Sequence, residues 1–132
     1  MKNQTIMLID DDPDDNFFAQ RAIEDFDPGA TVIEMTSPLK AIEYIKAHTL
    51  PKANIIFLDV YMPIMTGWEF LEQYCELDES LRSEIMIIML SISGDPRHYE
   101  RAQTWDCITD YVIKPLTETK LTEISNKHRR SE

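Results

Sequence analysis

The chain has 132 residues, 43% of them apolar, and a formal charge of −11. That length suits one domain with one core, and that apolar share argues against disorder. The acidity counts against a nucleic-acid binder, whose nonspecific affinity comes from a basic surface.

No apolar run approaches the ~20 residues of a membrane span. The first five residues lack the regions of a signal peptide, so a cytoplasmic location with no membrane association is expected. Cys75 and Cys107 fit no metal-ligand spacing and read as two reduced thiols. Lys127, His128, Arg129 and Arg130 form the one basic cluster, which reads as a solvated helix end.

Ile6-Met7-Leu8-Ile9 is a short continuous apolar run, the pattern of a strand buried on both faces. It stops at Asp10-Asp11-Asp12. Asp12 reads as an N-cap and Pro13 as the first helical residue. That helix runs to about Phe26, with Phe18, Ala22 and Phe26 on one face. A second strand covers Thr31 to Met35. Ser37-Pro38 then repeats the cap-plus-proline start, and Leu39, Ile42 and Ile45 mark the buried stripe. A third strand covers Asn54 to Leu58 and delivers Asp59 at its end. The next helix starts near Gly67 and buries Phe70, Leu71 and Tyr74. Asp78 to Glu84 reads as a polar loop.

Ile85 to Leu90 is the most apolar run and reads as a central strand, ending on Ser91-Ile92-Ser93-Gly94. Asp95-Pro96 starts a helix carrying Tyr99, Ala102 and Trp105. Tyr111-Val112-Ile113 is a fifth strand ending at Lys114-Pro115. Thr117 caps a last helix with Leu121 and Ile124 inward. Five strands alternating with five helices imply a doubly wound α/β fold: a parallel sheet between two helical layers. Residues 1–132 read as a single domain with no second domain attached.

The strand ends carry the chemistry. Asp10 and Asp11, Asp59, Ser91 and Lys114 follow four different strands and emerge on one edge of the sheet. In the order 2-1-3-4-5 the ligand crevice lies at that edge, between strands one and three. Three crowded carboxylates repel one another and need a proton or a cation. An oxygen-only donor set suits a hard cation such as Mg²⁺, which takes one or two carboxylates, waters and a phosphate oxygen. Asp59 can then act as a nucleophile toward phosphorus, with Lys114 neutralising charge and the Ser91 hydroxyl donating to a phosphoryl oxygen.

These residues resemble the receiver domain of two-component response regulators, of the stand-alone, chemotaxis type. The resemblance covers essentially the whole chain. It rests on Leu8-Ile9-Asp10-Asp11, on Leu58-Asp59-x-x-Met62-Pro63-x-x-x-Gly67, on Met89-Leu90-Ser91 and on Tyr111-Val112-Ile113-Lys114-Pro115. It implies a flavodoxin-like fold and a phosphorylation-activated switch of a phosphorelay. Asp59 would accept phosphate from a histidine kinase or a His-containing phosphotransfer protein. Asp10, Asp11, Asp59 and the backbone carbonyl of Tyr61 would hold Mg²⁺. Ser91 and Tyr111 would be the switch pair, and the Lys114–Pro115 bond would be cis. Output would pass by protein–protein binding through the helix after Pro96, the fifth strand and the last helix. No turnover of a separate substrate is expected.

Three positions depart from the usual pattern. Ile92 stands where a small residue is common and would restrict small phosphodonors. Leu116 replaces an aromatic after Lys-Pro. Trp105-Asp106-Cys107 lacks a glycine often found before the last strand. Tyr61 and Ser93 occupy the two variable positions that tune phosphate loss in the family. A ring at Tyr61 either shields the acyl phosphate or points to solvent. Two other functions fit the residues less well. Asp10-x-Asp12 also resembles the first motif of the haloacid-dehalogenase phosphohydrolases, but Pro13 departs from that pattern and no second acidic pair follows. A non-phosphorylated module on the same fold would need a degenerate site, and this one is complete.

Overall fold

The structure, a computed structural model, describes residues 4–128. Five strands, β1 (Thr5–Ile9), β2 (Thr31–Met35), β3 (Ile55–Asp59), β4 (Met86–Ser91) and β5 (Ile108–Ile113), form one sheet. All pairings are parallel and the order is β2-β1-β3-β4-β5. This is the doubly wound order expected for the fold. Six helices connect and flank the strands: α1 (Pro13–Phe26), α2 (Pro38–Lys46), α3 (Gly67–Tyr74), α4 (Glu79–Arg82), α5 (Pro96–Gln103) and α6 (Glu118–Lys127). None of the described helices is long and apolar enough to cross a membrane.

The sheet is buried on both faces, which is why its central strands are continuous apolar runs. Side chains alternate between the faces. Ile6, Leu8, Ile55, Phe57, Ile88 and Leu90 pack with Ala19 and Ile23 of α1 and with Leu121 and Ile124 of α6. Met7, Ile9, Ile56, Leu58, Ile87 and Met89 pack on the other face with α2, α3 and Ala102 of α5. Continuing the alternation past the strand ends puts Asp10, Asp59 and Lys114 on the α1–α6 side. Ser91 falls on the other side.

The helix starts follow the capping residues. Asp12 accepts from the Asp14 N–H, and Pro13 follows at the first helical position. Ser37 and Asp95 repeat the arrangement ahead of Pro38 and Pro96. Thr66 and Glu69 form a reciprocal capping box at α3. Thr117 caps α6 by accepting from the Lys120 N–H.

Several expectations are corrected. The buried residues of α1 are Asn16, Ala19 and Ile23, whereas Phe18 is 65% exposed. The Asn16 side-chain amide donates to the Asp10 carbonyl at 3.1 Å and fixes the rotation of the helix. In α2 the stripe runs through Pro38, Ala41, Ile42 and Ile45, an i, i+3, i+4, i+7 set that leaves Leu39 outside it. The polar segment after α3 contains α4, a single turn capped by Asp78. It has no buried residue, so no apolar period announces it. Trp105 lies beyond the end of α5, and β5 begins three residues earlier than Tyr111.

Cys75 and Cys107, expected as separate thiols, are joined as a disulfide between the end of α3 and the turn before β5. The pairing follows from the topology, which brings two positions 32 residues apart together. Lys127 and His128 are not simply solvated: both pair with the Asp110 carboxylate, at 3.5 and 2.9 Å. Arg129 and Arg130 lie outside the described residues.

Candidate phosphoryl-acceptor site

Register decides which residues meet. β1 pairs with β3 through Ile9 and Leu58, so Asp10 and Asp59 leave adjacent strands side by side. The pairing of Asp59 with Leu90 and of Ser91 with Ile113 places Ser91 and Lys114 at the same rim. Asp10, Asp11 and Asp59 each offer a carboxylate oxygen within 4.8 Å of the others. Asp10 and Asp59 are buried, while Asp11 is exposed. A cavity of about 320 Å³ opens over the group, with Asp10, Asp59 and Lys114 in its wall and Phe18 and Ile92 at its edge.

Lys114 reaches in from the end of β5. Its Nζ donates to Asp10 Oδ2 at 2.7 Å and to Asp15 Oδ2 at 2.9 Å. It also stands 3.1 Å from Asp59 Oδ1. The Lys114–Pro115 bond is cis. Lys120 donates to the carbonyls of Ile113 and Pro115, on either side of Lys114, at 2.6 and 2.9 Å. The other Asp10 oxygen accepts from the Asp12 N–H at 3.0 Å.

One ammonium does not balance this much negative charge. Burial, and then the neighbouring Asp10 carboxylate, push Asp59 up to about 6 against the pull of Lys114. Burial also raises Asp10, although Lys114 and the Asp12 N–H oppose it. Burial disfavours the Lys114 ammonium, but its bonds to Asp10 and Asp15 and the charges of Asp10 and Asp59 hold its pKa above the usual lysine range. Surplus negative charge on clustered oxygen donors is what a hard divalent cation neutralises. The acidic pocket of Asp10, Asp11 and Asp59 could therefore bind a metal, and its residues fit Mg²⁺.

Ser91 is fully buried, and its Oγ accepts from the Ser93 N–H at 3.1 Å. It makes no hydrogen bond to Asp59. Tyr111 is half-buried and its hydroxyl donates to the Ser93 carbonyl at 2.9 Å. Tyr61 leaves the loop after β3 with 48% exposure. Its hydroxyl is 3.0 Å from Nε2 of His98, and His98 Nδ1 is 2.9 Å from Ser93 Oγ. The loops after β3 and β4 are thus tied together beside the site.

Sequence reading brought Asp10, Asp11, Asp59, Ser91 and Lys114 to this rim. It missed Asp15, Asn16 and His98. Asp15 and Asn16 had one available signal: the first turn of a helix starting at Pro13 must stand over the strand end that precedes it. His98 had none, because its partners belong to loops whose paths the pattern does not define.

The family model for the response regulator receiver domain matches residues 6–126. The chain is a response regulator receiver domain.

Relatives agree with this. A two-component response regulator of Oryza sativa subsp. japonica is 24% identical over 124 residues, which are 94% of this chain and 70% of that protein. The solved structure of a two-component response regulator from Cytophaga hutchinsonii superposes with a TM-score of 0.85 at 29% identity, covering 96% of this chain and 97% of that one. A response regulator receiver protein from Dyadobacter fermentans gives 0.83 at 25% identity, with the same coverage of each chain. Receiver domains are signalling switches rather than turnover enzymes, and that holds for the class of this chain.

Proposed function

We propose that this receiver accepts a phosphoryl group on Asp59 with the help of Mg²⁺ and signals by protein–protein binding. The donor is a phosphohistidine of a sensor kinase or a phosphotransfer protein. The observation that carries the reading is the grouping of Asp10, Asp11 and Asp59 at the carboxyl rim of the sheet, with the Lys114 ammonium against Asp10 and Asp59.

An Asp59 carboxylate oxygen attacks phosphorus, and the P–N bond to the donor imidazole breaks. The imidazole leaves with the bonding pair and takes up a proton. Asp10, Asp11, Asp59 and the Tyr61 carbonyl would hold Mg²⁺, which when bound offsets charge on the phosphoryl oxygens. Lys114 carries the protein's own positive charge to the same oxygens. The Ser91 hydroxyl, whose Oγ only accepts from Ser93, keeps its own proton to donate. A shift of Ser91 toward the phosphoryl group moves Ser93, and Tyr111 follows through its bond to the Ser93 carbonyl. The α5–β5–α6 face then presents the changed surface to the partner.

Labelling tests the reading. Incubation with ³²P-phosphoramidate and Mg²⁺ should give one hydroxylamine-labile label, lost in chelator and in Asp59→Asn. Label retained by Asp59→Asn would overturn the assignment of the acceptor. So would the absence of label together with no Mg²⁺-dependent binding of beryllofluoride, a phosphoryl analogue.

A further inference from the structure

Lys114 serves three carboxylates, but not equally. An ammonium has three N–H donors and takes the acceptors that best meet their directions. Two are directed at Asp10 and Asp15. The approach to Asp59 is the longest of the three and is an ion pair without an aligned hydrogen bond. The directed donors of the cation thus go to Asp10 and Asp15, while Asp59 receives charge at 3.1 Å without one of them.

The two holders differ. The Asp10 side chain is 9% exposed and is itself tied to the Asp12 N–H, so it is part of the buried site. Asp15, in the first turn of α1, is 44% exposed, and among the described residues its carboxylate pairs with Lys114 alone. Water can replace Lys114 at Asp15 at little cost.

Resting on the phosphoryl-acceptor reading, we infer that Asp15 is a positioning residue that occupies one Lys114 donor until a phosphoryl group competes for it. Phosphorylation moves the ammonium from the Asp15 carboxylate to the phosphoryl oxygens, and Asp15 takes up solvent. Asp15 thereby weakens the phosphoryl-bound state relative to the free one. The exposed half of the pair keeps the effect modest, about 2- to 5-fold in affinity for a phosphoryl analogue.

The test is NMR titration of the full chain with beryllofluoride up to millimolar concentration, at saturating Mg²⁺. Asp15→Asn should bind it about 2- to 5-fold more tightly than wild type, and Asp15→Glu should return toward the wild-type value. In a Lys114→Met background, Asp15→Asn should change nothing, because no ammonium donor remains to be occupied. Equal tightening with and without Lys114 would show simple charge repulsion by Asp15 and overturn the inference. So would an unchanged affinity in Asp15→Asn. If wild type itself fails to bind the analogue, the acceptor reading falls first, which separates the two failures.

Discussion

A β-carbon on Gly67 would stand 2.6 Å from the backbone carbonyl oxygen of Asp59. The Gly67 N–H donates to the Val60 carbonyl at 2.8 Å, closing the loop that carries Tyr61, Met62 and Pro63. The start of α3 therefore leans directly on the end of β3. Close approach fixes the glycine here, and no left-handed backbone is involved. Gly67→Ala should destabilise the fold by about 1–3 kcal/mol, since the clash is with backbone and Val60 blocks the other side. Denaturant unfolding reads the stability. Mg²⁺ titration should show weaker binding, because the carboxylate moves with its backbone. A variant with wild-type stability and Mg²⁺ affinity would show that the segment adjusts freely.

Burial and Asp10 together raise Asp59 from 3.8 to about 6. A carboxyl with a raised folded pKa contributes stability that is complete below the unfolded value and lost as pH rises through the folded one. Chelator-treated protein should therefore lose stability from about pH 4 to pH 7, by at most roughly 3 kcal/mol from this group. Asp59→Asn removes the titration. It should be more stable than wild type at pH 7.5 by about 1–3 kcal/mol and should lose that advantage near pH 4. Mg²⁺ should stabilise wild type far more at pH 7.5 than at pH 5. Thermal melts across that range decide it, and a constant difference between the two proteins would sink the explanation.

Lys114 is the cation at the centre of the pocket, 14% exposed. Lys114→Ala leaves Asp10 and Asp59 buried without it. Breaking a buried pair in this way typically costs about 3–5 kcal/mol, and here protonation of the carboxylates reduces the loss. The variant should be clearly destabilised in chelator at pH 7.5 and largely restored by Mg²⁺, whose binding is retained. Phosphorylation should no longer strengthen partner binding. A Lys114→Ala protein that still engages its partner on phosphorylation would place the coupling elsewhere.

The site was legible because a parallel sheet converts sequence into position. Each apolar run ends at one rim, so the residue just past it belongs to a shared crevice. Asp10, Asp59, Ser91 and Lys114 needed only that rule. What the rule does not supply is helix rotation. The exposure of Phe18 and the burial of Asn16 depend on where α1 meets the sheet, and the Asn16–Asp10 bond settles it. Nor does it supply contacts between a helix and the loops beside it, such as His98 of α5 with Tyr61 and Ser93. The Cys75–Cys107 pairing and the single turn of α4 were hidden for a related reason. Each arises from chain packing without an apolar period of its own.

Tyr61 raises the last question, the lifetime of the phosphorylated form. Its ring can either shield the acyl phosphate or simply face solvent. The structure leaves the ring half-exposed, but not free: it meets the His98 imidazole edge-on at 5.7 Å between centroids, and its hydroxyl is bonded there. A ring held in place beside the acceptor loop can obstruct an attacking water in a way a freely rotating one cannot. On that hypothesis Tyr61→Asn should lose phosphate about 3- to 10-fold faster, a barrier change of roughly 0.6–1.4 kcal/mol. His98→Ala, which releases the ring without removing it, should fall between wild type and Tyr61→Asn. Decay of the ³²P label after removal of donor measures all three, and a Tyr61→Asn rate equal to or slower than wild type would leave the ring no shielding role.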